Sequence, residues 1–152
     1  LEAGVDLHVL GEAADKGQPI IPLETPADQI ALLFGPNAVI DAKMLEETLE
    51  DDTDTMLAMF DSLVVAWKAG DAERMETIYR EDWMEDADMQ AFHEGLLVKR
   101  NQRMAAKLEH RQGNWFVVVG ALHLCGEDGV PALLADAGWS VRQVEKVGVA
   151  EE

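Results

Sequence analysis

The sequence predicts an α/β fold: a small, mainly parallel sheet with a large helical insertion and a C-terminal β-α-β unit. Residues 115–119 (Trp-Phe-Val-Val-Val) are a continuous apolar run, as in a strand buried on both faces. A helix signal follows at Pro131 and stops at Gly138, and residues 139–147 return as a second strand. So short a crossover favours a parallel, right-handed connection. A third apolar run, 18–24, ends where a helix starts at Thr25 and Pro26.

The elements follow in order. Residues 4–16 read as a short helix with Val5, Leu7, Val9 and Leu10, stopped by Gly17. The prolines of 18–24 confine that strand to an end or an edge, with Glu24 at its exit. Thr25 is an N-cap and Pro26 suits the first helical position. This helix carries Ile30, Leu32, Leu33 and Phe34 and stops at Gly35 and Pro36. Met56, Leu57, Phe60, Leu63, Val64 and Trp67 recur at helical spacing, and Gly70 breaks that helix. Met75, Ile78 and Tyr79 share a face of the next one. Residues 84–95 fit a short helix or a loop. Residues 96–112 form a basic helix ended by His110 and Gly113. We read residues 1–152 as a single domain, with the helical insertion at about 36–112.

Charge narrows the function classes. With 30 acidic residues against 12 basic ones, the net charge is −18, which argues against nonspecific binding to nucleic acid or to an anionic membrane. No apolar run approaches the roughly 18–20 residues that cross a bilayer. The basic residues are not scattered: Lys99, Arg100, Arg103, Lys107 and Arg111 all fall in the helix 96–112. The lone Cys125 excludes an intrachain disulfide. The chain opens on Leu1, Glu2, Ala3 and Gly4, which reads as the interior of a longer protein.

His123 is the leading chemical candidate. It lies just past the run 115–119, between Gly120 and Gly126, where open α/β sheets collect ligands and catalytic groups. A neutral imidazole there binds a metal, acts as a base, or only bonds a neighbouring loop. Glu24 ends the other predicted strand, so the two residues would leave one sheet on the same edge. Its carboxylate could ligate a metal, activate a water, or simply favour a helix N-terminus. Arg100 could hold a substrate carboxylate or pair with an acid. The remaining histidines, His8, His93 and His110, show no metal spacing.

Several segments, in order, resemble the TraB/GumN family, the group that includes the Tiki metallopeptidases. Gly4-Val-Asp6, Ala13-Ala14 and Gly17-Gln-Pro19 look like the pattern before that family's glutamate strand. Leu23-Glu24-Thr25 with Gln29 is similar to its Leu-Glu-Thr segment, and Arg100-Asn101 with Met104-Ala105 to its Arg-Asn helix. Gly120-Ala-Leu-His123 resembles its final Gly-x-x-His block, continued by Gly126-Glu127, Gly129, Leu134, Gly138 and Val141.

The resemblance implies a metal-dependent hydrolase, acting on peptides or another small substrate. His123 and Glu24 would be its metal-binding and catalytic residues, and Arg100 and Asn101 would bind substrate. The implied cofactor is a divalent ion, Mn²⁺, Co²⁺ or Zn²⁺. A family member carries a second Gly-x-x-His upstream, and no other histidine here has glycine three residues before it. The chain therefore resembles the C-terminal part of such a protein. Alone it is expected to be inactive, and to form a homodimer that covers an exposed sheet edge. The alternative is a non-enzymatic accessory or ligand-binding protein of the cell envelope, with no nucleic-acid partner.

Overall fold

The computed structural model describes residues 4–33, 40–42, 45, 46, 49, 53–83 and 87–144. The architecture is helical. In chain order it has α1 (Val5–Asp15), α2 (Pro26–Leu33), α3 (Thr53–Ala69), α4 (Ala72–Trp83) and α5 (Ala87–His93). A π turn (Glu94–Val98) leads directly into α6 (Lys99–Glu109). A 3-10 turn (Ala121–Leu124) and α7 (Val130–Asp136) complete the set.

Local chemistry sets the helix ends. Gly17, Gly70 and Gly138 adopt φ of 63°, 71° and 93°, left-handed conformations that glycine enters without a Cβ penalty. At the start of α2 the Thr25 hydroxyl oxygen accepts the Asp28 N–H at 3.2 Å, and the Asp28 carboxylate accepts the Thr25 N–H at 2.9 Å. This reciprocal cap satisfies the Thr25 amide and gives the Asp28 amide, which also reaches the Thr25 carbonyl at 3.1 Å, a second acceptor. The Asp71 carboxylate accepts the Arg74 N–H at 2.9 Å and caps α4 with that single bond.

α3 and α4 pack against each other around Ala66, Met75 and Ile78, with Cys125 joining them from the loop after the 3-10 turn. The inner stripe of α3 is Met59, Leu63 and Ala66, whereas Met56, Leu57, Phe60 and Trp67 remain exposed. α6 turns Asn101, Met104 and Ala105 inward and packs on α7, where Val130 is buried. In the π turn the Lys99 N–H donates to the Glu94 carbonyl, five residues back rather than four. Gly95 lies in this turn, and a Cβ on it would be 3.4 Å from Leu32 of α2.

The expected sheet and β-α-β unit are not formed: no strand occurs among the described residues. A strand exists only through pairing, and residues 115–119 make no backbone–backbone hydrogen bond among the described residues. Their side chains are not buried either; Phe116 is 83% exposed. Ile20, Ile21, Trp139 and Val141 of the other two runs are also exposed. An apolar run reports a segment's wish to be covered, and its conformation then depends on what covers it. α7 stands where the crossover helix was expected. The helix stop at Gly35 and Pro36 and the strand end at 145–147 lie outside the described residues.

Candidate functional site: a buried histidine and glutamate joined by one helix

The 3-10 turn carries His123 inward, leaving it 7% exposed. Gly120 caps the turn, and a Cβ there would sit 3.6 Å from His123 Cδ2, along the ring edge. Below the turn, Gly126 has φ of 72° and faces the Glu76 carboxylate so closely that a Cβ would overlap it. His123 Nδ1 lies 2.6 Å from Oδ1 of Asn101, the most deeply buried polar residue described, at 2% exposure. Asn101 Nδ2 donates to the Asp128 carbonyl at 2.8 Å. A carbonyl cannot donate, so the Asn101 amide is fixed with its oxygen toward the imidazole. It follows that Nδ1 carries the proton in neutral His123 and Nε2 carries the lone pair. Nε2 has no hydrogen-bond partner among the described residues. Burial, reinforced by the Arg100 charge and opposed by Glu24, holds the His123 pKa below its ordinary 6.5.

Glu24 enters from the loop before α2 and meets Arg100, the residue next to Asn101. Arg100 Nε donates to the carboxylate at 2.8 and 3.1 Å, and Nη2 donates to Oε2 at 2.7 Å. The pair is largely buried, with side-chain exposures of 14% for Arg100 and 8% for Glu24. A planar guanidinium matching both carboxylate oxygens is the strong form of this interaction. The remaining Arg100 donor, Nη1, bonds the Leu96 carbonyl in the π turn at 3.0 Å, so the side chain is held at both ends. Hydrogen bonding to Arg100 lowers the Glu24 pKa below 4.5, with smaller help from Gln29 and His123.

The structure thus brings together Glu24, Arg100, Asn101 and His123, although no sheet edge does so. Consecutive residues of α6 act as the bracket: Arg100 takes the glutamate and Asn101 takes the histidine. Glu24 and His123 are near enough for each charge to shift the other's pKa. Both α6 side chains expected to face substrate are spent inside the protein. Of the other histidines, His8 pairs with Glu12 at 3.2 Å, His93 meets Tyr79 at a tilt of 40° with centroids 5.1 Å apart, and His110 caps α6. Cys125 points back to the Ala121 carbonyl at 3.3 Å, and burial pushes its thiol pKa up, away from the thiolate a nucleophile needs.

Sequence reasoning assigned no role to Arg103, whose Nη2 lies 3.9 Å from Glu24 Oε1, or to Lys107, whose Nζ donates to the Leu23 carbonyl at 2.5 Å. An exposed cation on a basic helix carries no signal of its tertiary partner. Gln29 was visible only as a motif position. A cavity of about 20 Å³ lined by Glu76, Tyr79, Arg80, His93, Asn101 and Asp128 has room for about one water molecule.

As donors for a divalent metal, His123 Nε2 and the Glu24 carboxylate are right in kind and short in number. Catalytic zinc keeps three protein ligands. Among the described residues, no group of three or more His, Cys, Asp or Glu could hold a metal ion. Both Glu24 oxygens are also committed to Arg100.

In this helical scaffold one helix, α6, clamps both a buried imidazole and a buried carboxylate. The chain belongs to the TraB/PrgY/gumN family, whose model matches residues 1–143. No curated protein and no solved structure matches it.

Proposed function

We propose that the protein is a hydrolase of the TraB/GumN type that acts on peptide bonds with a divalent metal. His123 and Glu24 supply part of its centre, and the remaining donors come from beyond the described residues. The observation that carries this reading is the fixed tautomer of His123: Asn101 occupies Nδ1 and leaves the Nε2 lone pair to ligate or to take a proton. A depressed pKa keeps that lone pair available at neutral pH. When bound, the metal would supply Lewis acidity and a more acidic water. Within this chain, Asn101 orients the ring, and Arg100 keeps Glu24 ionised and in place.

One observation favours a second reading, a non-enzymatic ligand-binding or accessory protein. The charge of Glu24 is already balanced by a bidentate guanidinium, an arrangement that needs no metal to be stable.

Calorimetric titration with Mn²⁺, Co²⁺ and Zn²⁺, alongside hydrolysis of a peptide library, separates the two. The hydrolase reading expects metal binding that weakens in His123→Ala and Glu24→Gln, and cleavage that disappears in His123→Ala while the helical circular dichroism persists. Undiminished cleavage in His123→Ala overturns it. This chain alone is expected to be inactive; neither metal binding nor cleavage, in it or in a version extended upstream by a second Gly-x-x-His, selects the accessory reading.

A further inference from the structure

Arg100, Arg103 and Lys107 stand at i, i+3 and i+7 on α6 and all face the loop around Glu24. Two of them are committed. Arg100 is locked on Glu24, and Lys107 donates to the Leu23 carbonyl. Arg103 differs. Its side chain is 58% exposed, and its nearest acidic partner, Glu24, already has both oxygens bound by Arg100. At 3.9 Å the Arg103 contact is an ion pair without a hydrogen bond, so among the described residues its fork of donors remains open to a ligand. Asp28, another carboxylate that feels Arg103 and Lys107, is turned to Thr25. Among the described residues, three cations therefore face two carboxylates at the rim of the centre, a local positive surplus in a chain of net charge −18.

We propose that Arg103 is a specificity-determining residue that binds a carboxylate of the ligand held at the Glu24–His123 centre, so that the preferred ligand is an acidic peptide. The peptide class rests on the hydrolase reading above; the charge preference does not require turnover. Planar, bidentate recognition of a carboxylate is the task to which an exposed guanidinium is best matched. The overall negative charge does not forbid it. At physiological salt the Debye length is about 8 Å, so distant acids are screened while a direct contact is not.

The test is fluorescence anisotropy at physiological salt with two labelled peptides, one carrying Asp and Glu and the other carrying Asn and Gln at the same positions. The unaltered protein should bind the acidic peptide roughly tenfold more tightly, the effect of one charge-assisted contact. Arg103→Gln should bring the ratio to about one, and Arg103→Glu should invert the preference toward a Lys-containing peptide, with helical circular dichroism unchanged. Equal binding of the two peptides by the unaltered protein, or a preference that survives Arg103→Gln, overturns the proposal. Charge preference without cleavage in any metal, in this chain or in the version extended upstream, refutes the hydrolase reading and leaves Arg103 standing. Cleavage without charge preference does the reverse.

Discussion

Asn101 Oδ1 accepts the Nδ1 proton of His123 at 2.6 Å while Asn101 Nδ2 donates to the Asp128 carbonyl at 2.8 Å. One buried amide thus reads two neighbours and sets the tautomer of the imidazole. Removing it should do more than open space. Asn101→Ala strands an N–H and a carbonyl, at about 1–3 kcal/mol for each unsatisfied group. Urea unfolding should show a loss of that order. In Asn101→Asp the imidazole gains a carboxylate neighbour, which raises its pKa. Nitrogen-15 spectra of His123 should show the Nδ1–H tautomer in the unaltered protein at alkaline pH, and a protonated ring persisting to higher pH in Asn101→Asp.

Glu24 and Arg100 form a largely buried ion pair, and the two single deletions should be unequal to the double one. Arg100→Gln leaves a nearly buried carboxylate without its guanidinium, a change that costs about 3–5 kcal/mol in comparable sites. Glu24→Gln combined with Arg100→Gln should cost clearly less than the sum of the single changes. Arg100→Lys should rescue only part, because an ammonium cannot match both oxygens and reach the Leu96 carbonyl. Thermal denaturation of the four proteins measures the coupling.

Much of the helical frame was legible in the sequence because its signals are local. Thr25, Pro26 and Asp28 mark a start through chemistry confined to one turn, and Gly17, Gly70 and Gly138 mark ends through left-handed backbone. The strands were misread because residues 115–119 say only that a segment is apolar, not what pairs with it. His123 and Glu24 could be found from motif and position. That Asn101 would orient His123 could not, since the two lie 22 residues apart and meet only once α6 and the 3-10 turn have both packed on α7. The environment of Arg103 was invisible for the same reason.

Acid should weaken the fold in two stages. His123 and His93 have pKa values held below their ordinary 6.5, in both cases first by burial. For His123 the Arg100 charge adds to this and Glu24 opposes it; for His93 Arg80 adds, while Asp128 and Glu76 oppose. The unfolded chain therefore binds more protons than the folded one below about pH 6.5, and stability falls as pH drops through that window. Glu24, held below 4.5 chiefly by Arg100, adds a second loss as pH falls under that value. Urea midpoints measured across the acid range should show both stages. His93→Gln should reduce the upper one and Arg100→Gln the lower one.

Gly129 should resist substitution. A Cβ there would lie 2.5 Å from the Cys125 carbonyl oxygen, a backbone atom that cannot swing aside as a side chain would. Gly129→Ala must push apart the loop between the 3-10 turn and α7, which also holds the Asp128 carbonyl used by Asn101. We expect a loss of roughly 1–3 kcal/mol, as for other overpacked sites, and a disturbed His123 signal in the same spectra. Gly138→Ala, with nothing within 4 Å, should leave His123 unchanged and show only the cost of its positive φ of 93°.

The π turn Glu94–Val98 gives the helical frame a slack of one codon. Each residue of an α-helix advances the chain by about 100° around its axis, since a turn holds 3.6 residues. Because the Lys99 N–H reaches back five residues, this stretch contains one residue more than an ordinary helical path needs. A relative that lost that residue between His93 and Lys99 would close the turn to an ordinary α-helix and keep Arg100 and Asn101 facing Glu24 and His123. The same loss inside a regular helical turn would swing both side chains by about 100° and part the glutamate from the histidine. Ancestry thus has a place, just before the Arg-Asn pair, where a residue can come and go at little cost to the bracket.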